Sequence, residues 1–92
     1  MKRVLIAVLD ASLRSRLFAR VGEFGHRVDA VADALAIERR LAKDEYDVVL
    51  VERGLASQPA ETDAEWIEVD PGLDPVELDR RLDTLRGASD PD

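Results

Sequence analysis

Asp10, Glu52 and Asp70 are the side chains best placed to do chemistry, because each follows an apolar run: Val4 to Leu9, Asp47-Val-Val-Leu-Val51 and Glu65-Trp-Ile-Glu-Val69. If those runs are strands of one parallel sheet, the three acids share the rim at its carboxyl end, where open α/β sheets bind ligands. An all-oxygen donor set of that kind suits Mg²⁺ or Ca²⁺. Three acids at one rim also arise by chance in a chain with 20 Asp and Glu and a net charge of −7. Other reactive groups are scarce. There is no cysteine, which excludes disulfides and thiolate metal sites. The lone histidine, His26, follows Gly25 with no partner suggested by its neighbours, and reads as a packing or surface residue. Ser12, Ser15 and Ser57 lack the Gly-x-Ser-x-Gly context of an activated nucleophile. The turn Leu9-Asp10-Ala11-Ser12 has no glycine, which argues against close approach to a nucleotide phosphate.

The elements that would position these residues follow from hydropathy periods. Residues 3–9 form a continuous apolar run, the pattern of a central parallel strand buried on both faces. Asp10 and Ser12 offer N-caps for a helix whose Leu13, Leu17, Val21 and Phe24 face inward, with Arg14, Arg16, Arg20 and Glu23 turned outward. Gly25 stands where a helix-ending glycine belongs. Residues 27–31 alternate and predict a second strand nearer an edge. Asp33 caps a helix over 34–43 with Ala34, Ile37 and Leu41 inward. Residues 47–51 predict a third buried strand, 53–64 a loop, and 65–69 a short strand in which Trp66 reads as edge-strand core, with a stacking platform as the alternative. The last helix has Asp74 as N-cap, Pro75 at its first position and Glu77 completing a capping box. Leu73 and Leu78 occupy hydrophobic-staple positions, Leu78, Leu82 and Leu85 form the buried stripe, and Gly87 ends it. Residues 1–88 thus predict one domain, with 89–92 an acidic tail or the start of a linker.

Charge is uneven along the 92 residues. Residues 1–43 carry nine Lys/Arg and five Asp/Glu, a balance of +4, whereas residues 44–92 carry four and fifteen, a balance of −11. Most of this is a solvated acidic surface, with docking of the acidic half onto a basic partner or a second copy as the sharper alternative. Arg14, Arg16, Arg20, Arg39 and Arg40 are spread over two helices, so no basic face for nucleic acid is expected. No apolar run reaches the roughly 18 residues that cross a bilayer. The run after Met1-Lys2-Arg3 is too short for a signal peptide, so a cytoplasmic location is expected.

One family shares this pattern. Lys2-Arg3-Val-Leu-Ile, Asp10, Leu13-Arg14, Phe24-Gly25-His26-Arg27-Val28, Ala32-Asp33 and Tyr46-Asp47-Val-Val-Leu-Val resemble, without a gap, the first half of a response-regulator receiver domain. Trp66-Ile-Glu-Val-Asp70-Pro71 and Asp74-Pro75-Val76-Glu77-Leu78 resemble that family's last strand, its lysine-proline turn and its final helix. The resemblance implies an α/β, flavodoxin-like fold in three layers. It would have a four-stranded parallel sheet of order 2-1-3-4 and three helices, lacking the family's third and fourth helices and one strand. It also implies that the phosphorylation site is degenerate. The acidic pair that would hold Mg²⁺ aligns with Val8 and Leu9, the phosphoacceptor with Glu52 and the conserved lysine with Asp70. Aliphatic side chains cannot hold a hard cation. Phosphoryl transfer, which works by positioning and charge neutralisation, has lost its parts.

The expected function is therefore a non-catalytic, phosphorylation-independent interaction module in signalling or transcriptional regulation. It would bind no cofactor, metal or small-molecule substrate and would act on a second copy or another regulatory protein. With only the 34–43 helix on one face, apolar sheet around strands three and four is expected to lie open as the partner surface. Glu52 reads as a polar strand-end residue in solvent, or as a built-in mimic of a phosphorylated aspartate. The alternative function is a small Rossmann-like nucleotide- or metal-binding domain using Asp10, Glu52 and Asp70.

Overall fold

The structure is a computed structural model that describes residues 2–55, 63–83 and 85. In chain order the elements are β1 (Arg3–Ala7), α1 (Ala11–Glu23), β2 (Arg27–Val31), α2 (Ala34–Lys43), β3 (Val48–Glu52), β4 (Glu65–Val69) and α3 (Pro75–Arg81). The four strands form one parallel sheet in the order β2-β1-β3-β4. The architecture is the receiver-like α/β arrangement expected, with three helices.

The strand pleat sorts the apolar runs onto two faces. Val4 and Ile6 of β1 and Val48 and Leu50 of β3 meet Leu13, Leu17 and Val21 of α1 and Leu78, Leu82 and Leu85. Leu5 and Ala7, with Val49 and Val51, meet Ile37 of α2, Tyr46 and Ala64 on the opposite face. The eight strand residues are at most 1% exposed, which is why β1 and β3 read as continuous apolar runs and not as alternating ones.

All three helices start on an aspartate N-cap. Asp10 Oδ1 accepts from the Leu13 N–H at 2.8 Å, Asp33 Oδ1 from Ala36 at 2.7 Å and Asp74 Oδ1 from Glu77 at 2.8 Å. Each such cap is worth about 1 kcal/mol. Gly25 ends the α1 turn at φ +90°, a conformation that glycine adopts without strain. Leu73 and Leu78 pack into one cluster as the staple requires.

Several boundaries differ from the sequence expectation. β1 stops at Ala7, although the Val8 N–H still bonds the Val31 carbonyl at 3.1 Å. The chain is then turning toward α1, and this leaves Leu9 64% exposed. β3 extends through Glu52. The regular part of α3 ends at Arg81, earlier than expected. The Leu82 N–H is shared between the Leu78 and Asp79 carbonyls, and Leu85 bonds back three residues to Leu82, so the last turn tightens while Leu82 and Leu85 stay buried. The Glu77 carboxylate does not serve a capping box: it meets Arg80 at 3.4 Å and Arg81 at 3.6 Å. Of the expected loop 53–64, residues 53–55 and 63–64 are described. The remainder, with Ser57, Gly87 and the expected boundary at 88–89, lies outside the described residues.

The expected open face is a clearer correction. Val49 and Val51 are 0% and 1% exposed, because Tyr46 and Ala64 close over them and Leu55 and Trp66 pack alongside. The segment joining β3 to β4 thus contributes apolar cover at both of its described ends, and one helix suffices on this face.

Candidate functional site

The carboxyl end of the sheet is held together by two charged side chains facing main chain. The Glu52 carboxylate is turned toward β1, where Oε1 accepts from the Leu9 N–H at 2.8 Å and the Asp10 N–H at 3.1 Å. Arg14, one turn into α1, reaches back so that Nη1 donates to the Val8 carbonyl at 2.9 Å and the Leu9 carbonyl at 3.3 Å. The β1–α1 turn therefore has its amides on a carboxylate and its carbonyls on a guanidinium. Charge-assisted bonds of this kind are stronger than neutral ones. Neither expected reading of Glu52 describes this geometry: the side chain is a tie between β3 and the β1–α1 turn.

The five rim residues singled out from sequence have separate tasks. Val8 is fully buried in the α1 face of the core and Leu9 points to solvent. Asp10 caps α1. Asp70 Oδ1 accepts from the Gly72 N–H at 2.7 Å, closing the turn before α3. Its other oxygen lies 3.9 Å from Arg53 Nε, which is also 3.9 Å from Glu68. Arg53 is 65% exposed, so these pairs contribute little. Among the described residues no three Asp, Glu, His or Cys side chains stand where they would hold a metal ion. The proposed Asp10–Glu52–Asp70 cluster is thus corrected: Glu52 holds two backbone amides, and Asp10 and Asp70 one each elsewhere. A shallow hollow of about 130 Å³ at the rim is lined by Leu9, Glu52, Arg53, Gly54 and Leu55. Its walls mix aliphatic and satisfied polar groups.

Two polar arrangements lie away from the rim. His26 is 8% exposed and is not an isolated packing residue. Its Nδ1 accepts from the Lys2 N–H at 3.0 Å, which fixes the tautomer so that Nε2–H donates to the Leu85 carbonyl at 2.8 Å. It joins the start of β1 to the end of the last helix. On the α2 face the Tyr46 hydroxyl donates to Asp29 Oδ2 at 2.7 Å, and the Arg3 guanidinium lies 5.1 Å from the Tyr46 ring centre. Burial and the Asp29 carboxylate push the Tyr46 phenol up to about 12.

Sequence reasoning missed three of these features. Nothing in the α1 pattern separates Arg14, which serves the strand end, from Arg16 or Arg20. The partners of His26 are main-chain groups and have no sequence signature. Asp29 did carry a signal, since an acid within Arg-Val-Asp-Ala-Val needs a partner.

A groove of about 290 Å³ separates α1 from α3, with Leu17, Leu78 and Leu82 at its floor. Arg20 bridges it to Asp79 at 3.6 Å. Among the described residues no helix is long and apolar enough to cross a membrane.

No family model matches the chain. Among curated proteins it is similar to the two-component response regulator PhoP of Pseudomonas aeruginosa, with 38% identity over 53 residues. That stretch is 58% of this chain and 24% of the relative, so the similarity spans about a quarter of the relative's length.

Proposed function

We propose that the chain is a non-catalytic, phosphorylation-independent receiver-like module that acts in the cytoplasm, in signalling or transcriptional regulation, by binding a protein partner. The observation that carries this reading is the Glu52 carboxylate folded back on the Leu9 and Asp10 amides. A phosphoacceptor must present a free oxygen to the donor and stand beside a cation that neutralises the incoming charge. Here one oxygen of the carboxylate at the acceptor position, Oε1, is held by main-chain amides, and the positions aligned with the metal pair are a buried valine and an exposed leucine that offer no oxygen to a neutralising cation. The PhoP similarity supports a signalling context, and the helix-covered sheet is a scaffold suited to presenting surfaces.

The test is intact-mass measurement after incubation with acetyl phosphate and Mg²⁺. The expected result is no covalent phosphoryl adduct on the wild-type chain or on Glu52→Asp, because Val8 and Leu9 still supply no oxygen. A phosphoryl adduct on the wild-type chain that disappears in Glu52→Gln would overturn the reading.

A further inference from the structure

We infer that the outer edge of β2 is a docking edge for a second copy of this chain, paired antiparallel across a two-fold axis near Val28. The inference deepens the proposed function by naming the partner.

β2 is terminal in the sheet. It meets β1 through alternate residues: the Arg27 N–H donates to the Lys2 carbonyl at 3.0 Å, and the Val31 carbonyl accepts from the Val8 N–H at 3.1 Å. In a parallel ladder the intervening residues, Val28 and Ala30, turn their N–H and C=O groups to the other side. Such a row is a template for another strand.

The opposite edge is closed in part. Glu65 and Val69 of β4 bond to β3, through Asp47 at 2.9 Å and Arg53 at 2.8 Å, so Trp66 and Glu68 face outward. The outward Glu68 carbonyl is taken by Arg81 Nη1 at 2.8 Å. Among the described residues β2 has no equivalent guard.

The flank of the β2 edge carries one exposed aromatic ring. Arg16, Arg20 and Glu23 of α1 line the groove shared with α3. Phe18 lies about 200° round the helix from Arg16, on the side away from α3 and toward β2, and is 47% exposed. A two-fold axis beside the edge brings the two Phe18 rings onto the same side of the joined sheet.

Charge selects a second copy as the occupant. With Val28 opposite Val28 of the other copy, Arg27 of each chain stands opposite Asp29 of the other. Arg27 is exposed and Asp29 half-buried with one oxygen on the Tyr46 hydroxyl, and opposed charges directly across a strand pair attract. The arrangement supplies this complementarity twice. It also places the contact in the half of the chain with the smaller charge, +4 against −11, where repulsion between two copies is weaker.

The test is light scattering on the full 92-residue chain from low to high micromolar concentration, with circular dichroism as the folding control. The wild-type chain is expected to reach twice its 10.2 kDa mass. Arg27→Glu, at an exposed position, turns both attractive pairs repulsive and is expected to raise the dissociation constant at least about tenfold with the spectrum unchanged. Phe18→Ser is expected to weaken the dimer, and Arg16→Glu, on the opposite flank, to leave it intact. A wild-type monomer throughout, or a dimer broken by Arg16→Glu and not by Arg27→Glu, overturns the inference. Neither result touches the phosphotransfer test, so the two readings fail separately.

Discussion

Replacing His26 tests how far the fold depends on one buried hydrogen-bond bridge. His26→Ala removes the acceptor of the Lys2 N–H and the donor to the Leu85 carbonyl, two groups 83 residues apart in sequence that the ring links. A buried polar group left without a partner costs about 1–3 kcal/mol. The Lys2 amide is only partly buried and recovers some hydration, whereas the Leu85 carbonyl is enclosed. Adding the space left by the ring gives a loss of about 2–4 kcal/mol. A domain of this size has a total stability of about 5–10 kcal/mol, so the variant should lose a fifth or more of it. His26→Gln keeps one acceptor and one donor and should recover about half. Urea unfolding followed by circular dichroism and Trp66 fluorescence measures both, with the m-value expected to stay constant. A loss under about 0.5 kcal/mol for His26→Ala, or a glutamine variant no better than alanine, would refute the bridge.

Two further outcomes are expected. Tyr46 is the only tyrosine, so its absorbance titration reads one group, and its midpoint should lie near 12 instead of the ordinary 10. Because the folded phenol holds its proton more tightly than the unfolded one, its contribution is complete below pH 10. It is lost as the pH rises through 12, and Tyr46→Phe should remove that part of the alkaline decline in stability. Glu52→Ala removes two charge-assisted bonds from a half-exposed site and should cost about 1–2 kcal/mol. The loss should be the same with and without Mg²⁺, and a Mg²⁺-dependent loss would restore a metal role for that carboxylate.

Much of the scaffold was legible because local and global signals agree. The aspartate caps before α1, α2 and α3, Gly25 and the unbroken apolar runs each act within a few residues, and α2 and β4 fall on the expected boundaries. The resemblance to receivers points to the rim residues Val8, Leu9, Asp10, Glu52 and Asp70, but residue types alone do not show what these residues do. Glu52 binds main-chain amides more than 40 residues away, and no side-chain pattern encodes a backbone partner. The end of α3 was misjudged because the leucine stripe continues past the point where the helix tightens. Counting helices alone predicts an open face over Val49 and Val51, whereas Tyr46, Leu55 and Ala64 cover it from loops.

The arginine seated on the β4 edge gives the sheet a terminus. An open parallel sheet with two bare edges presents unlike surfaces at its ends, and head-to-tail joining of unlike surfaces has no natural stopping point. Arg81 closes the outward Glu68 carbonyl of the β4 edge, so the two ends of the sheet are unlike. A head-to-tail joint through β4 would have to displace that guanidinium from the main chain, whereas a two-fold contact through β2 would leave it in place.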